Sequence, residues 1–209
     1  MRTPHAHDRP LLDETNSPRI RRVSLGHVAQ YINGRAFKPE DWKTEGLPII
    51  RIQNLNDPRA PFNYFSGPVE SRYLVNDGDL LISWSASLDA FIWNRGPAIL
   101  NQHIFKAVED SSLVTREYLY FAVRAAMAEI RAHVHGATMQ HITRPEFLRI
   151  KIPLPALPQQ REIASSLAEQ MKLAKIANEH ATAQIEAANA LPAAYLSQVF
   201  ESPRPNHGR

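Results

Sequence analysis

The sequence predicts an α+β fold: a compact domain of mixed and antiparallel strands with a helix, followed by one long C-terminal α-helix that pairs with a partner helix. Three observations predict it. From Arg22 to Pro158 short apolar runs alternate with turn residues; one stretch inside that region, Thr115 to Gly136, has a helical period; beyond Pro158 the turn residues cease and a helical pattern runs for about 40 residues. The expected boundaries are a tail at 1–19, the compact domain at 20–158, the long helix at 159–200 and a second tail at 201–209. Pro4, Pro10 and Pro18 among polar residues give the first segment no stable period.

Within the domain, Ile50 and Ile52 alternate with Arg51 and Gln53, the period of a half-buried strand, and Asn54, Asn56, Asp57 and Pro58 end it. Asn76-Asp77-Gly78-Asp79 is a turn signal ahead of a more buried strand carrying Leu80, Ile82 and Trp84, and Phe91 with Trp93 continues that sheet. Leu119, Val123, Met127, Ile130 and Val134 form one stripe of a helix that Thr115 caps at its start and Gly136 ends. Ile150 and Ile152 make a last strand, and the prolines of IPLPALP, 152 to 158, then forbid regular pairing and act as a stiff connector.

Alternating steps of four and three from Leu167 reach Met171, Ala174, Asn178, Ala181, Ile185 and Ala188, then Pro192, Tyr195 and Val199. So narrow a seam wants another helix against it, either a second copy or a different chain. Asn178 would set register, and Pro192 is expected to kink or interrupt the last turns.

The chain has 209 residues and no cysteine, so disulfides, Cys-based zinc sites and thiol nucleophiles are excluded. No apolar run approaches the roughly 20 residues that span a bilayer, and the N-terminal stretch has no signal-peptide core; a cytoplasmic protein without membrane contact is expected. Lys and Arg total 24 against 21 acidic residues, and the net charge of +3 permits a polyanionic partner without demanding one. Arginine contributes 18 of the 24 cations, which GC-rich codon usage explains as well as a need for planar donors does.

Phosphate-loop, dinucleotide, nucleophile-elbow, zinc-protease and kinase signatures are all missing. Pro39-Glu40-Asp41 reads as a turn or helix start, Asp77 and Asp79 as turn residues, and His133 with His135 as surface groups. No catalytic residue, metal site or cofactor is predicted. The polar residues that do cluster are those able to bond base edges and phosphates: Arg51, Gln53, Asn54 and Asn56; Ser83, Ser85 and Ser87; Asn101, Gln102 and His103; Thr138, Gln140, His141, Thr143 and Arg144. Loop backbones use the same side chains.

Four runs carry a resemblance: LPIIRIQNLND at 47–57, YLVNDGDLLISWSASLDAFIW at 73–93, ILNQHIFKAV at 99–108, and HGATMQHITRPEFLRIKIPLPALPQQREIASSL at 135–167. Together they resemble the DNA specificity subunit of type I restriction-modification systems, over about residues 22–200. The resemblance implies that 20–158 is a target recognition domain reading half of a bipartite site on double-stranded DNA, and that 159–200 is a conserved spacer and docking helix. It implies as partners a DNA adenine methyltransferase subunit and a restriction/translocase subunit, which carry the chemistry, leaving this chain noncatalytic. The family's usual subunit holds two recognition domains and two such helices, whereas one of each is present here, so a homodimer or a pairing with another half subunit is expected. A stand-alone DNA-binding module, or a truncated recognition part of a fused methyltransferase-nuclease, is the alternative. The shared motifs hold the fold as readily as they touch DNA, and 59–72, which matches none of them, is a further place for base-reading side chains.

Overall fold

The computed structural model describes residues 20–85, 87–133 and 142–201. The chain divides into two compact units, with the boundary between Gln160 and Arg161.

The first unit is built on two four-stranded sheets. One has the order β2 (Ala29–Asn33), β9 (Ile104–Glu109), β6 (Leu80–Ser83), β7 (Asp89–Ile92), antiparallel throughout. The other runs β4 (Asn63–Phe65), β3 (Leu47–Ile50), β8 (Ala98–Leu100), β5 (Leu74–Val75), with β3 and β8 parallel. A short antiparallel pair joins β1 (Arg22–Ser24) to β10 (Lys151–Pro153). The sheets face one another across a cluster to which the first gives Leu81 and Ile104 and the second Ile50, Val75, Ala98 and Leu100, with Trp93 beside them. Each such fully buried aliphatic side chain contributes about 1.5–3 kcal/mol relative to exposure.

The opposite face of the first sheet carries an aromatic cluster. Tyr31, Phe105 and Phe147 meet with ring centroids 4.8–6.2 Å apart, and Trp84 stacks on Phe105 at 5.7 Å. Phe147 comes from α4 (Arg144–Arg149), whose first turn is fixed by the side chain of Glu146 accepting from the Thr143 backbone N–H. The helix α3 (Arg116–His133) packs against β7 and buries Leu119, Val123 and Met127, the stripe that the sequence spacing defines. Thr115 Oγ1 accepts from the Tyr118 N–H, as its capping role requires. Arg116 pairs with Glu109 at 2.8 Å, a bond that raises the guanidinium pKa further, and Arg124 pairs with Asp89 at 3.0 Å. Val134 and Gly136 lie outside the described residues.

Several expectations need correction. The strand around Ile50 stops there: Arg51 turns out of β3 and α2 (Ile52–Asn56) follows, because the Asn54 side chain accepts from the Arg51 N–H at 3.0 Å and closes a helical turn. Two short helices, α1 (Leu25–Val28) and α4, occupy stretches where no helix is predicted. Pro153 does sit in a strand pair, opposite Arg22 at its edge, where a missing N–H costs nothing. The connector is correspondingly short, since α5 (Leu157–Glu201) begins before Pro158 and takes that proline in its first turn, where it is tolerated. Nor does Pro192 interrupt it: α5 is helical for 45 residues with the proline inside.

Gly34, just after β2, is a close-approach position. A Cβ there would overlap the Asn101 carbonyl group and the Leu100 carbonyl oxygen, both backbone. Gly34→Ala is therefore expected to push the end of β2 off the loop after β8, at a cost of about 1–3 kcal/mol, the scale of overpacking. A urea melt with an unchanged midpoint would refute it.

Candidate nucleic-acid interface

The strand registers bring one set of ends together. β2 finishes at Asn33 opposite Phe105, β6 finishes at Ser83 opposite Ile104, and the parallel strands β3 and β8 finish at Ile50 and Leu100. Everything leaving these ends converges. The Asn101 N–H donates to the Ile50 carbonyl, Arg35 bridges to Asn101, and Gln102 N–H donates to the Arg35 carbonyl. Asn56 and Ser87 exchange two side-chain bonds of 2.9 and 3.2 Å. His103 packs its ring 5.6 Å from that of Trp84, and the Ile142 N–H donates to the Trp84 carbonyl. Residues 68 positions apart in the chain, Arg35 and His103, share this end because the sheets return there four times.

The predicted residues fare differently within it. Gln53, Asn56 and His103 are exposed and Arg51, Asn101 and Gln102 half-buried, so all six are available at the surface. Gln102 Nε2 lies 3.2 Å from His103 Nε2, which ties the two side chains into one group. Asn54 is fully buried and belongs to the fold: beside its bond from Arg51, its amide donates to the Ala60 and Pro61 carbonyls, both at 3.1 Å. Thr143 is engaged as the cap of α4, with its hydroxyl bonded to Glu146. Arg144 donates to the Tyr31 carbonyl at 3.2 Å. Ser83 is buried and bonds the Ser85 carbonyl. Thr138, Gln140 and His141 lie outside the described residues.

Two N–H donors at this end have no acceptor among the described residues: Arg51 Nε and Trp84 Nε1, both buried. Arg51 also has no ion pair there; its guanidinium rests 5.4 Å over the ring of Trp42, which is 41% exposed. A buried donor left unpaired costs about 1–3 kcal/mol, which an arriving acceptor recovers.

Sequence reasoning missed a set of arginines held on aromatic rings. Arg35 lies 4.4 Å over Phe65 and 5.1 Å over Phe37. Arg95 lies 4.5 Å over Trp93 and 5.0 Å over Phe62, bonds the Asn54 and Pro58 carbonyls, and has its pKa pulled below the ordinary arginine value by burial. The signal was the run of aromatics in turn-rich sequence, Phe37, Trp42, Phe62, Tyr64 and Phe65, which neither strand nor helix periodicity accounts for. Such stacking holds a guanidinium plane in place before any ligand arrives.

Among the described residues no group of three or more His, Asp or Glu is placed to hold a metal ion, and no helix is long and apolar enough to cross a membrane.

Two facing sheets thus share a polar, arginine-bearing end, and one long exposed helix follows them. Residues 20–187 match the type I restriction modification DNA specificity domain, and the chain belongs to that family. It is 30% identical over 148 residues to the type I restriction enzyme EcoBI specificity subunit of Escherichia coli, covering 70% of this chain and 31% of the relative. With the MjaVIII specificity subunit of Methanocaldococcus jannaschii it shares 26% over 182 residues, 85% of this chain and 41% of the relative. Among solved structures it is similar to a chain of a type I restriction-modification assembly, at TM-score 0.67 and 25% identity over 91% of this chain and 48% of that one. The HsdS subunit of Thermoanaerobacter tengcongensis gives TM-score 0.64 and 25% identity over 91% and 47%. The chain thus spans less than half the length of these relatives.

Proposed function

We propose that this chain carries one recognition unit of the noncatalytic DNA specificity subunit of a type I restriction-modification complex. Residues 20–158 read one half of a bipartite duplex site, and the helix after them pairs with the helix of a second recognition unit. The observation that carries the DNA-reading part is the convergence of Arg51, Gln53, Asn56, Gln102 and His103 on one end of the sheets, with the Arg51 and Trp84 donors still unpaired. Amides and guanidinium groups are the side chains that distinguish adenine and guanine edges in the major groove.

The helix supplies the ruler. Its 45 residues measure about 68 Å at 1.5 Å per residue, close to two turns of B-DNA at about 34–36 Å each. Two copies paired antiparallel set two recognition units at opposite ends of that length, and two-fold symmetry makes the joint target a palindrome interrupted by unread bases. The bound complex then positions an adenine methyltransferase subunit, and a restriction/translocase subunit, on the site in the cytoplasm.

Co-expression with the methyltransferase encoded beside this chain, followed by single-molecule mapping of N6-methyladenine, tests the reading. A palindromic bipartite motif is expected. An asymmetric motif would replace the homodimer by a pairing with a different half subunit, and no new methylation with both proteins soluble would refute the assignment in favour of a stand-alone binding module.

A further inference from the structure

A cleft of about 680 Å³ opens beside the outer edge strand β2, between the 3-10 turn Ser71–Tyr73 and α4. Its polar lining comes from Gln30, Asn33, Gly34, Arg72, Tyr73 and Arg144, and the described residues that line it include two arginines and no carboxylate. The two cations reach it from elements far apart in sequence. Arg144 is anchored by one N–H on the Tyr31 carbonyl at 3.2 Å. Arg72 is held by its Nε against Glu70 at 2.9 Å and by its plane 4.7 Å over the Tyr73 ring. A guanidinium has five N–H donors, so each is fixed by one bond while the rest remain for a ligand. Fixing two such forks in advance removes the side-chain entropy that an anion would otherwise have to offset on binding.

We infer that this cleft takes a phosphate of the DNA backbone, with Arg72 and Arg144 as its two cationic ligands and Asn33 as a neutral one. The inference rests on the DNA-reading proposal and adds to it a contact that positions the duplex without reading sequence. The location favours a DNA phosphate over a free anion. The wall formed by Asn33 and Gly34 runs directly into Arg35, which is bonded to the Asn101–His103 loop, so the cleft adjoins the end where the base-reading side chains gather.

The test is the salt dependence of binding by the full chain to a duplex. Each phosphate neutralised contributes about 0.9 to the slope of log affinity against log salt, for any sequence. The double variant Arg72→Ala with Arg144→Ala should lower the slope by about 0.9, the contribution of the one phosphate, and each single variant by part of that, equally on specific and random duplexes, while Arg72→Lys with Arg144→Lys retains it. Should loss of the Tyr31 bond unfold the Arg144 variants, Arg72→Ala alone decides, because that side chain is 57% exposed and is held only at the surface. An unchanged slope in a folded variant overturns the phosphate site and leaves the DNA-reading proposal standing. A wild-type chain that binds no duplex at all overturns both.

Discussion

Gln160→Ala is expected to cost about 3–5 kcal/mol and to lower the melting temperature of residues 20–160 by roughly 10 °C or more. Gln160 is fully buried. Its Oε1 accepts from the Thr115 N–H at 2.9 Å, and its Nε2 donates to the Leu113 and Pro155 carbonyls, both at 2.9 Å. One side chain therefore satisfies three backbone groups, at the start of α3, in the loop before it and just ahead of α5. Alanine strands all three, and each unsatisfied buried group costs about 1–3 kcal/mol, against a total stability of about 5–15 kcal/mol for an ordinary domain. Gln160→Glu separates the donor from the acceptor contribution: it keeps an oxygen for Thr115 but points a carboxylate at two carbonyls, so it should be at least as destabilising. A melt that falls by less than about 2 °C in the alanine variant would show that water replaces the amide and that the three bonds do not define this junction.

Gln160 also shows where sequence reading stops. Periodicity reports which residues are apolar and at what spacing, and on that basis the turn before β6, the buried strand Leu80–Ser83, the stripe of α3 and the long terminal helix were legible. It does not report a polar side chain that is buried to bond distant backbone. Asn54 and Gln160 both look like surface amides in sequence, where residue type alone groups Asn54 with the DNA-facing side chains. Its real partners, Arg51, Ala60 and Pro61, become visible only when the chain after β3 turns back on itself. The same amide explains why Ile52 and Gln53 leave the strand that their alternation predicts. The candidate interface was half legible for a related reason. The clusters at 51–56 and 101–103 were found by residue type, but that they share one end depends on the parallel pairing of β3 with β8, a non-local contact without local signal. For the stacked Arg35 and Arg95 the aromatic run is visible in sequence, but which arginine meets which ring is decided by the fold.

Ala181→Asp with Ile185→Asp is expected to convert the paired protein to monomer, read by light scattering, and to abolish methylation of the bipartite site while leaving the melt of the recognition unit unchanged. The midpoint of α5 is residue 179, so full antiparallel overlap of two copies places Asn178 beside its own symmetry mate, where an amide pair fixes register. Positions 181 and 185 lie just beyond it, exposed in the single chain, Ile185 by 62%. Aspartates there would be buried in the seam without partners, and the desolvation of four carboxylates per pair of chains acts against assembly. Leu173 and Leu191 supply the contrast. They are 60% and 66% exposed and 18 residues apart, five turns of 3.6, so they share a face that the seam does not use. Leu173→Asp with Leu191→Asp should leave the dimer intact. If that pair dissociates it and the Ala181, Ile185 pair does not, the two helices meet on the other face, and the register set by Asn178 is wrong with it.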